Sequence, residues 1–210
     1  MKSSKNLIEQ LNTLSYFSKK TIHEIGKQFG LKNTTVGTYI SRFLKRKEII
    51  HLKKGLYVSA DFFNKNRGDI SYSFYLANIL RTPSYVSSWT VLQYYNLTTE
   101  SIYTITSITP KVTRTYKTKV GTFAYQSIKK ELFSDFSLAK GSPTSLTGKF
   151  DFFIASPSKA LFDLLYFKTH QFRGVRFKDI KALIEELRIN IDEMNKKDQS
   201  AFYAMIKKYL

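Results

Sequence analysis

Apolar residues recur every three or four positions near the start of the chain, where Leu7, Ile8, Leu11 and Leu14 mark one face of a helix. Thr21, with Glu24 three residues on, has the form of a capping box and opens a second helix carried by Ile22, Ile25 and Phe29. Gly30 suits the end of that helix, because glycine enters the left-handed conformation without a Cβ clash. Asn33 or Thr34 is expected to cap a third helix, with Val36, Ile40, Phe43 and Leu44 as its apolar face. The period then changes. Ile49-Ile50-His51-Leu52 and Leu56-Tyr57-Val58 flank Lys53-Lys54-Gly55, which is the pattern of a hairpin with a basic turn. Asn64–Asp69 is polar and has no apolar period, so a boundary is expected across Asp61–Asp69.

Beyond it, helix and strand patterns mix. Ser71–Leu80 and Ser88–Tyr95 read as helices, and Ile102–Ile108, Val112–Tyr116 and Val120–Ile128 as strands. Alternation puts Lys111, Thr113, Thr115, Lys117 and Lys119 on one face, either the solvated side of a half-buried sheet or a second contact for an anion. Phe150–Ala155 reads as a short strand. Ser156-Pro157 then opens the apolar helix Ala160–Phe167, with proline in its first turn. Lys178–Leu187 and Gln199–Tyr209 read as closing helices. Phe152, Phe153, Leu161, Leu164, Leu165 and Phe167 are expected in the core. The expected fold is α+β, with a winged helix-turn-helix in residues 1–62 and a larger mixed α/β domain in residues 69–210.

Charge sharpens this division. The 210 residues carry 34 Lys and Arg against 16 Asp and Glu, a net charge of +18. Residues 1–60 hold 12 of the basic residues and only Glu9, Glu24 and Glu48 as acids, so +9 of the excess lies there. Such a field attracts polyanions, nucleic acid first and an anionic membrane surface second. The chain has no cysteine, which excludes disulfides and thiolate metal sites. No apolar run approaches the roughly 18 residues of a membrane span, and Met1–Gln10 lacks the apolar stretch of a secretory signal. A cytoplasmic protein is expected.

The basic segment has a specific form. Thr21–Arg46 has helix-turn-helix proportions, and its second helix begins with small polar residues. In that geometry the second helix enters the major groove, where every base pair presents a distinct donor and acceptor pattern. The candidate DNA-binding residues are Lys32, Asn33, Thr34, Thr35, Thr38, Tyr39, Arg42, Lys45 and Arg46 on or before that helix, and Lys53 and Lys54 at the hairpin tip. Threonine and tyrosine hydroxyls bond bases or phosphates, threonine methyls touch thymine, and Arg42 forks onto guanine or clamps a phosphate. The bland alternative is the solvated face of an amphipathic helix. Against it stands the conjunction of capped helix, turn, polar-fronted helix and basic hairpin.

Three stretches in a fixed order also carry a family resemblance. They are Lys54-Gly55-Leu56-Tyr57-Val58, then Pro83-Ser84-Tyr85-Val86-Ser87-Ser88 leading to Leu92 and Asn96-Leu97, then Ile154-Ala155-Ser156-Pro157-Ser158-Lys159-Ala160-Leu161-Phe162-Asp163-Leu164-Leu165. From about Leu7 to His170 the chain resembles the AbiEi-type antitoxins of bacterial abortive-infection toxin–antitoxin systems. Asn96 stands where that family often has glycine, and asparagine also tolerates the left-handed conformation. The resemblance implies a winged helix that represses its own operon by binding repeats in its promoter. It also implies a C-terminal domain that counters a nucleotidyltransferase-like toxin, directly or indirectly.

Other functions find less in the sequence. A winged-helix regulator whose C-terminal domain senses a small ligand is the main alternative. Catalysis is not expected: His23, His51 and His170 are scattered without metal-ligand spacing, and no phosphate-binding glycine loop or nucleophile elbow is present. Asp151 and Asp163 form the one conceivable nuclease pair, but a structural role such as an ion pair from Asp163 to Lys159 fits their apolar setting better. No cofactor or metal is expected.

Overall fold

The computed structural model of the protein describes residues 2–141 and 150–209; the expected ranges 1–62 and 69–210 also cover positions outside these. The fold is mixed α+β. In chain order it runs α1 (Lys2–Leu11), β1 (Phe17–Ser18), α2 (Lys19–Gln28), α3 (Asn33–Lys45), β2 (Ile49–Lys53), β3 (Leu56–Ser59) and α4 (Ala60–Asn66). Next come α5 (Ile70–Leu80), β4 (Tyr85–Val86), α6 (Trp89–Tyr94), β5 (Thr104–Thr109), β6 (Arg114–Thr118), β7 (Gly121–Ser127) and β8 (Phe136–Ala139). The chain closes with β9 (Phe152–Ala155), α7 (Pro157–Lys168), α8 (Phe177–Glu186) and α9 (Lys196–Tyr209). Among the described residues no helix is long and apolar enough to cross a membrane.

Two sheets organise these elements. The first is antiparallel, in the order β1-β3-β2, with Phe17 opposite Tyr57 and Ile50 opposite Val58. The second is mixed, in the order β6-β7-β5-β4-β9-β8. Its parallel pairs are β5 with β7 and β4 with β9, and its other pairs are antiparallel. Helix α5 packs on one part of this sheet, and α7 packs on α6 and α9.

Local chemistry explains the element ends, sometimes at other residues than the sequence suggests. Helix α2 is capped by Ser18, whose Oγ accepts from the Thr21 amide at 3.0 Å. Thr21 therefore lies inside the first turn rather than at the cap, and Glu24 pairs with Lys20 at 3.6 Å instead of closing a capping box. Gly30 ends the helix as expected, with φ +70°. Helix α3 begins at Asn33, with Lys32 as the flanking residue and no side-chain cap. Asn33 and Thr34 lie inside the first turn instead of at the cap, and the Asn33 amide oxygen faces His23 Nδ1 at 3.1 Å. The stretch Asp61–Asp69, read as a boundary, is helical through Asn66. Ser59 starts that helix by accepting from the Phe62 amide at 3.0 Å, and Phe62 is buried.

The core falls into two clusters. Leu7, Leu11, Phe17, Ile22, Val36, Ile40, Phe43 and Ile49 form the smaller one under α1–α3. The larger one spans the second sheet and its helices, and it takes in Leu52, Leu56, Val58 and Phe62 from the β2–β3 hairpin and α4. The hairpin thus contributes to both clusters. Of the expected core residues, Phe152, Leu161, Leu164 and Leu165 are buried and Phe167 is partly buried, but Phe153 is 42% exposed. It lies on the outer face of β9, and the alternation that buries Phe152 and Ile154 turns it outward.

The two downstream stretches of the resemblance meet inside the larger cluster. Val86 of β4 pairs with Ile154 of β9, and Asp163 of α7 accepts from Ser87 Oγ at 2.7 Å and Tyr85 Oη at 3.1 Å. Asn96 has φ 57°, the left-handed conformation expected of it.

Candidate nucleic-acid interface

Helix α3 rests on α2 through Val36, Ile40 and Phe43, all buried. The crossing is close because Gly26 has no side chain: a Cβ there would lie 2.5 Å from Val36 Cγ2. The opposite face of α3 is open. Thr34, Thr38, Ser41, Arg42 and Lys45 are all exposed, and helical geometry places them within an arc of about 100°. Arg46 and Lys47 extend the exposed surface past the helix end, while Thr35 and Tyr39 are half-buried at its edge. Tyr39 stacks on Phe43 with ring centroids 6.1 Å apart. Ser41 was not singled out from the sequence, although its position three residues after Thr38 puts it on the same stripe.

The stripe carries both hydroxyls and cations. Thr38 Oγ1 donates to the Thr34 carbonyl at 3.1 Å and Ser41 Oγ to the Gly37 carbonyl at 3.2 Å, which leaves both oxygens able to accept. Among the described residues, Lys32, Arg42, Lys45, Arg46, Lys47 and Lys54 have no acidic partner within 4.0 Å. Two of the three acids of this region are engaged elsewhere, Glu9 with Lys5 at 3.9 Å and Glu24 with Lys20 at 3.6 Å. The third, Glu48, lies in a cleft of about 480 Å³ beside α1, lined also by Arg42 and Arg46. Glu48 is thus the one of these three acids near the α3 arginines, and among the described residues it forms no ion pair with either within 4.0 Å.

The hairpin tip divides its two lysines. Lys54 is exposed. Lys53, expected beside it on the same surface, instead donates from Nζ to the Leu80 carbonyl at 2.6 Å and is partly buried. Burial lowers its pKa, and Lys111 and Arg81 nearby lower it further against the opposing effect of Tyr116. The reason is topological: β2 packs against β6, so one side of the hairpin faces the second sheet.

That contact brings further cations beside the hairpin. Burial by itself would raise the Tyr116 phenol. Arg114 and Arg81 beside it, with Lys53, bring it below the usual phenol value. Arg114, Lys117 and Lys119 are exposed and also lack an acidic partner within 4.0 Å among the described residues. Of the five residues expected on one strand face, only Thr115 and Lys117 fall within β6. Lys111 precedes the strand and donates to the Thr82 carbonyl.

The two aspartates weighed as a nuclease pair are placed differently. Asp163 is fully buried, with Oδ1 2.6 Å from Lys159 Nζ and Oδ2 accepting from Ser87 and Tyr85. The ion pair expected from the sequence is present. Burial pushes the Asp163 carboxyl up, and Lys159 and the two hydroxyls act against that shift. Asp151 is exposed and accepts from the Gly141 amide at 3.2 Å. Among the described residues no group of three or more potential ligands is arranged to hold a metal ion. No known family model matches the chain, and no curated protein matches it.

Proposed function

We propose that this protein binds duplex DNA as a transcriptional autorepressor, and that it is the antitoxin of a toxin–antitoxin pair. In this reading α1–α3 with the β2–β3 hairpin form a winged helix-turn-helix domain, and the remainder forms the antitoxin domain. The single observation that carries the DNA-binding half is the open stripe Thr34, Thr38, Ser41, Arg42 and Lys45, flanked by cations that have no acidic partner within 4.0 Å among the described residues. Helix α3 lies in the major groove and offers hydroxyl oxygens and Arg42 to base edges. Lys45, Arg46 and Lys54 meet phosphates, and Arg114 of β6, on the Tyr116 side beside Lys53, continues that track next to the wing. Lys53 acts as part of the joint behind the wing. The antitoxin half is supported by the family resemblance, and the toxin it opposes is nucleotidyltransferase-like.

Promoter DNA from the protein's own operon tests the first half in a salt titration. Neutralising six phosphates gives a slope of log K against log salt of about −5. A slope near zero removes the electrostatic account. Co-expression with the product of the adjacent gene tests the second half. Growth arrest by that product, relieved by this protein, is the expected result; an adjacent product without toxicity removes the antitoxin reading and leaves the DNA reading standing.

A further inference from the structure

A second concave site lies on the far side of α5. A cavity of about 420 Å³ is lined by Tyr75, Ile79, Ser84, Phe133, Phe136 and Phe153, with Asp151 also in its wall. This volume lies in the range of small-molecule pockets, which are mostly apolar with a few placed polar groups. The wall is built firmly. Phe136 stacks on Tyr85 with centroids 4.5 Å apart and meets Phe133 at 5.0 Å and Phe153 at 5.8 Å. The Asn78 side chain ties β9 to the segment before β4, accepting from the Phe153 amide at 2.6 Å and donating to the Ser84 carbonyl at 3.3 Å.

Two features of this cavity are unexplained by folding alone. Phe153 keeps 42% of its surface exposed beside the Phe136 ring. Ser84 is 4% exposed, and its Oγ is buried without a hydrogen-bond partner among the described residues. The aromatic rings favour a flat ring system, and their faces also favour a cation. Asp151 repels anions and attracts an ammonium group.

The same helix that lines the cavity holds the first sheet. Tyr75 Oη lies 3.2 Å from Ser15 Oγ, its ring is 6.0 Å from that of Tyr16, and Tyr72 donates to the Ser15 carbonyl at 2.7 Å. Ser15 and Tyr16 lie in the connection between α1 and β1, just ahead of β1. Tyr75 therefore touches the cavity with its ring and that connection with its hydroxyl.

From this geometry we infer that the cavity binds a small aromatic amine, and that Tyr75 passes its occupancy to the α1–β1 connection. The amine's ring lies among Phe133, Phe136 and Phe153, and the ammonium group faces Asp151. The test uses the full chain without DNA, so its outcome is independent of the DNA-binding reading. Tryptamine, indole and indole-3-acetate are titrated into the isotope-labelled protein and followed by amide chemical shifts. Tryptamine is expected to saturate, with shifts at Ser84, Phe136 and Ser15; indole binds more weakly and indole-3-acetate weakest. Asp151→Asn weakens tryptamine roughly two- to fivefold, the worth of one rim ion pair, and leaves indole unchanged. Ile79→Trp narrows the cavity and weakens the binding of tryptamine and indole alike, while thermal unfolding shows the fold intact. Tyr75→Phe keeps tryptamine binding but loses the Ser15 response. Absence of saturable binding by both tryptamine and indole overturns the site. Equal binding of all three probes overturns the assignment to an amine, and a Ser15 response that survives Tyr75→Phe overturns the relay.

Discussion

Asp163 receives three donors in a site without solvent: the Lys159 ammonium, the Ser87 hydroxyl and the Tyr85 hydroxyl. Lys159 also lies 4.9 Å from the Phe162 ring, so its charge is held among apolar groups. Removing the carboxylate leaves all three donors unpaired, the ammonium being the most costly. Asp163→Leu is therefore expected to lower stability by about 3–5 kcal/mol. Adding Lys159→Met removes the stranded charge and should recover part of the loss, although the two hydroxyls stay unpaired. Urea unfolding of both variants checks this; a double variant no more stable than the single one would show that charge pairing is not what the site depends on. Arg42 sits at the opposite extreme, exposed and without an acidic partner within 4.0 Å among the described residues. If it reads a base, Arg42→Ala costs about 1–3 kcal/mol of binding and relaxes sequence preference. Competition between specific and scrambled duplexes measures this, and equal weakening on both would make Arg42 a phosphate contact.

At the scale of elements, the crossing of α2 and α3 is set by what Gly26 lacks. A methyl group there would meet Val36 Cγ2 at 2.5 Å, so the helices must part or Val36 must leave its rotamer. Gly26→Ala is expected to cost about 1–3 kcal/mol, as overpacking in a filled core does, outweighing alanine's better helix propensity. Chemical denaturation measures it, and a variant as stable as the parent would show that α3 shifts freely on α2. This contact was not legible in the sequence, where Gly26 is one glycine inside a helical pattern. The helices themselves were legible, because Ile22, Ile25, Val36, Ile40 and Phe43 keep the helical period. So was the hairpin, where Gly55 has φ +77°. The two-residue strands β1 and β4 were not, since a pair of residues carries no period and is fixed only by partners distant in sequence. The expected cap at Thr21 failed because Ser18, also a capping residue, lies one turn earlier. For the candidate site, the α3 stripe followed from helical spacing. The inward turn of Lys53 did not, because it depends on Leu80 and β6.

For the molecule as a whole, the orientation of α3 depends on how the first sixty residues are held to the rest. Three kinds of contact hold them. Leu52, Leu56 and Val58 belong to the larger core, and each such residue, fully buried, is worth about 1.5–3 kcal/mol. Lys53 Nζ bonds the Leu80 carbonyl at 2.6 Å, and Tyr72 Oη bonds the Ser15 carbonyl at 2.7 Å. Helix α4 follows the hairpin without a loose linker, with Phe62 in the same core. Separating the two parts would expose the outer side of the hairpin and leave these polar groups to water. The full chain is therefore expected to unfold in one cooperative step, with calorimetric and van't Hoff enthalpies equal. A fragment of residues 1–60, lacking the partner surface for Leu52, Leu56 and Val58, should unfold well below the intact chain. Differential scanning calorimetry on both distinguishes the cases. Two resolved transitions in the full chain, one matching the fragment, would mean that the hairpin contact is too weak to fix α3. In the proposed DNA complex, the placement of α3 beside β6 would then have to be imposed by the duplex, because the β2–β6 contact would no longer supply it.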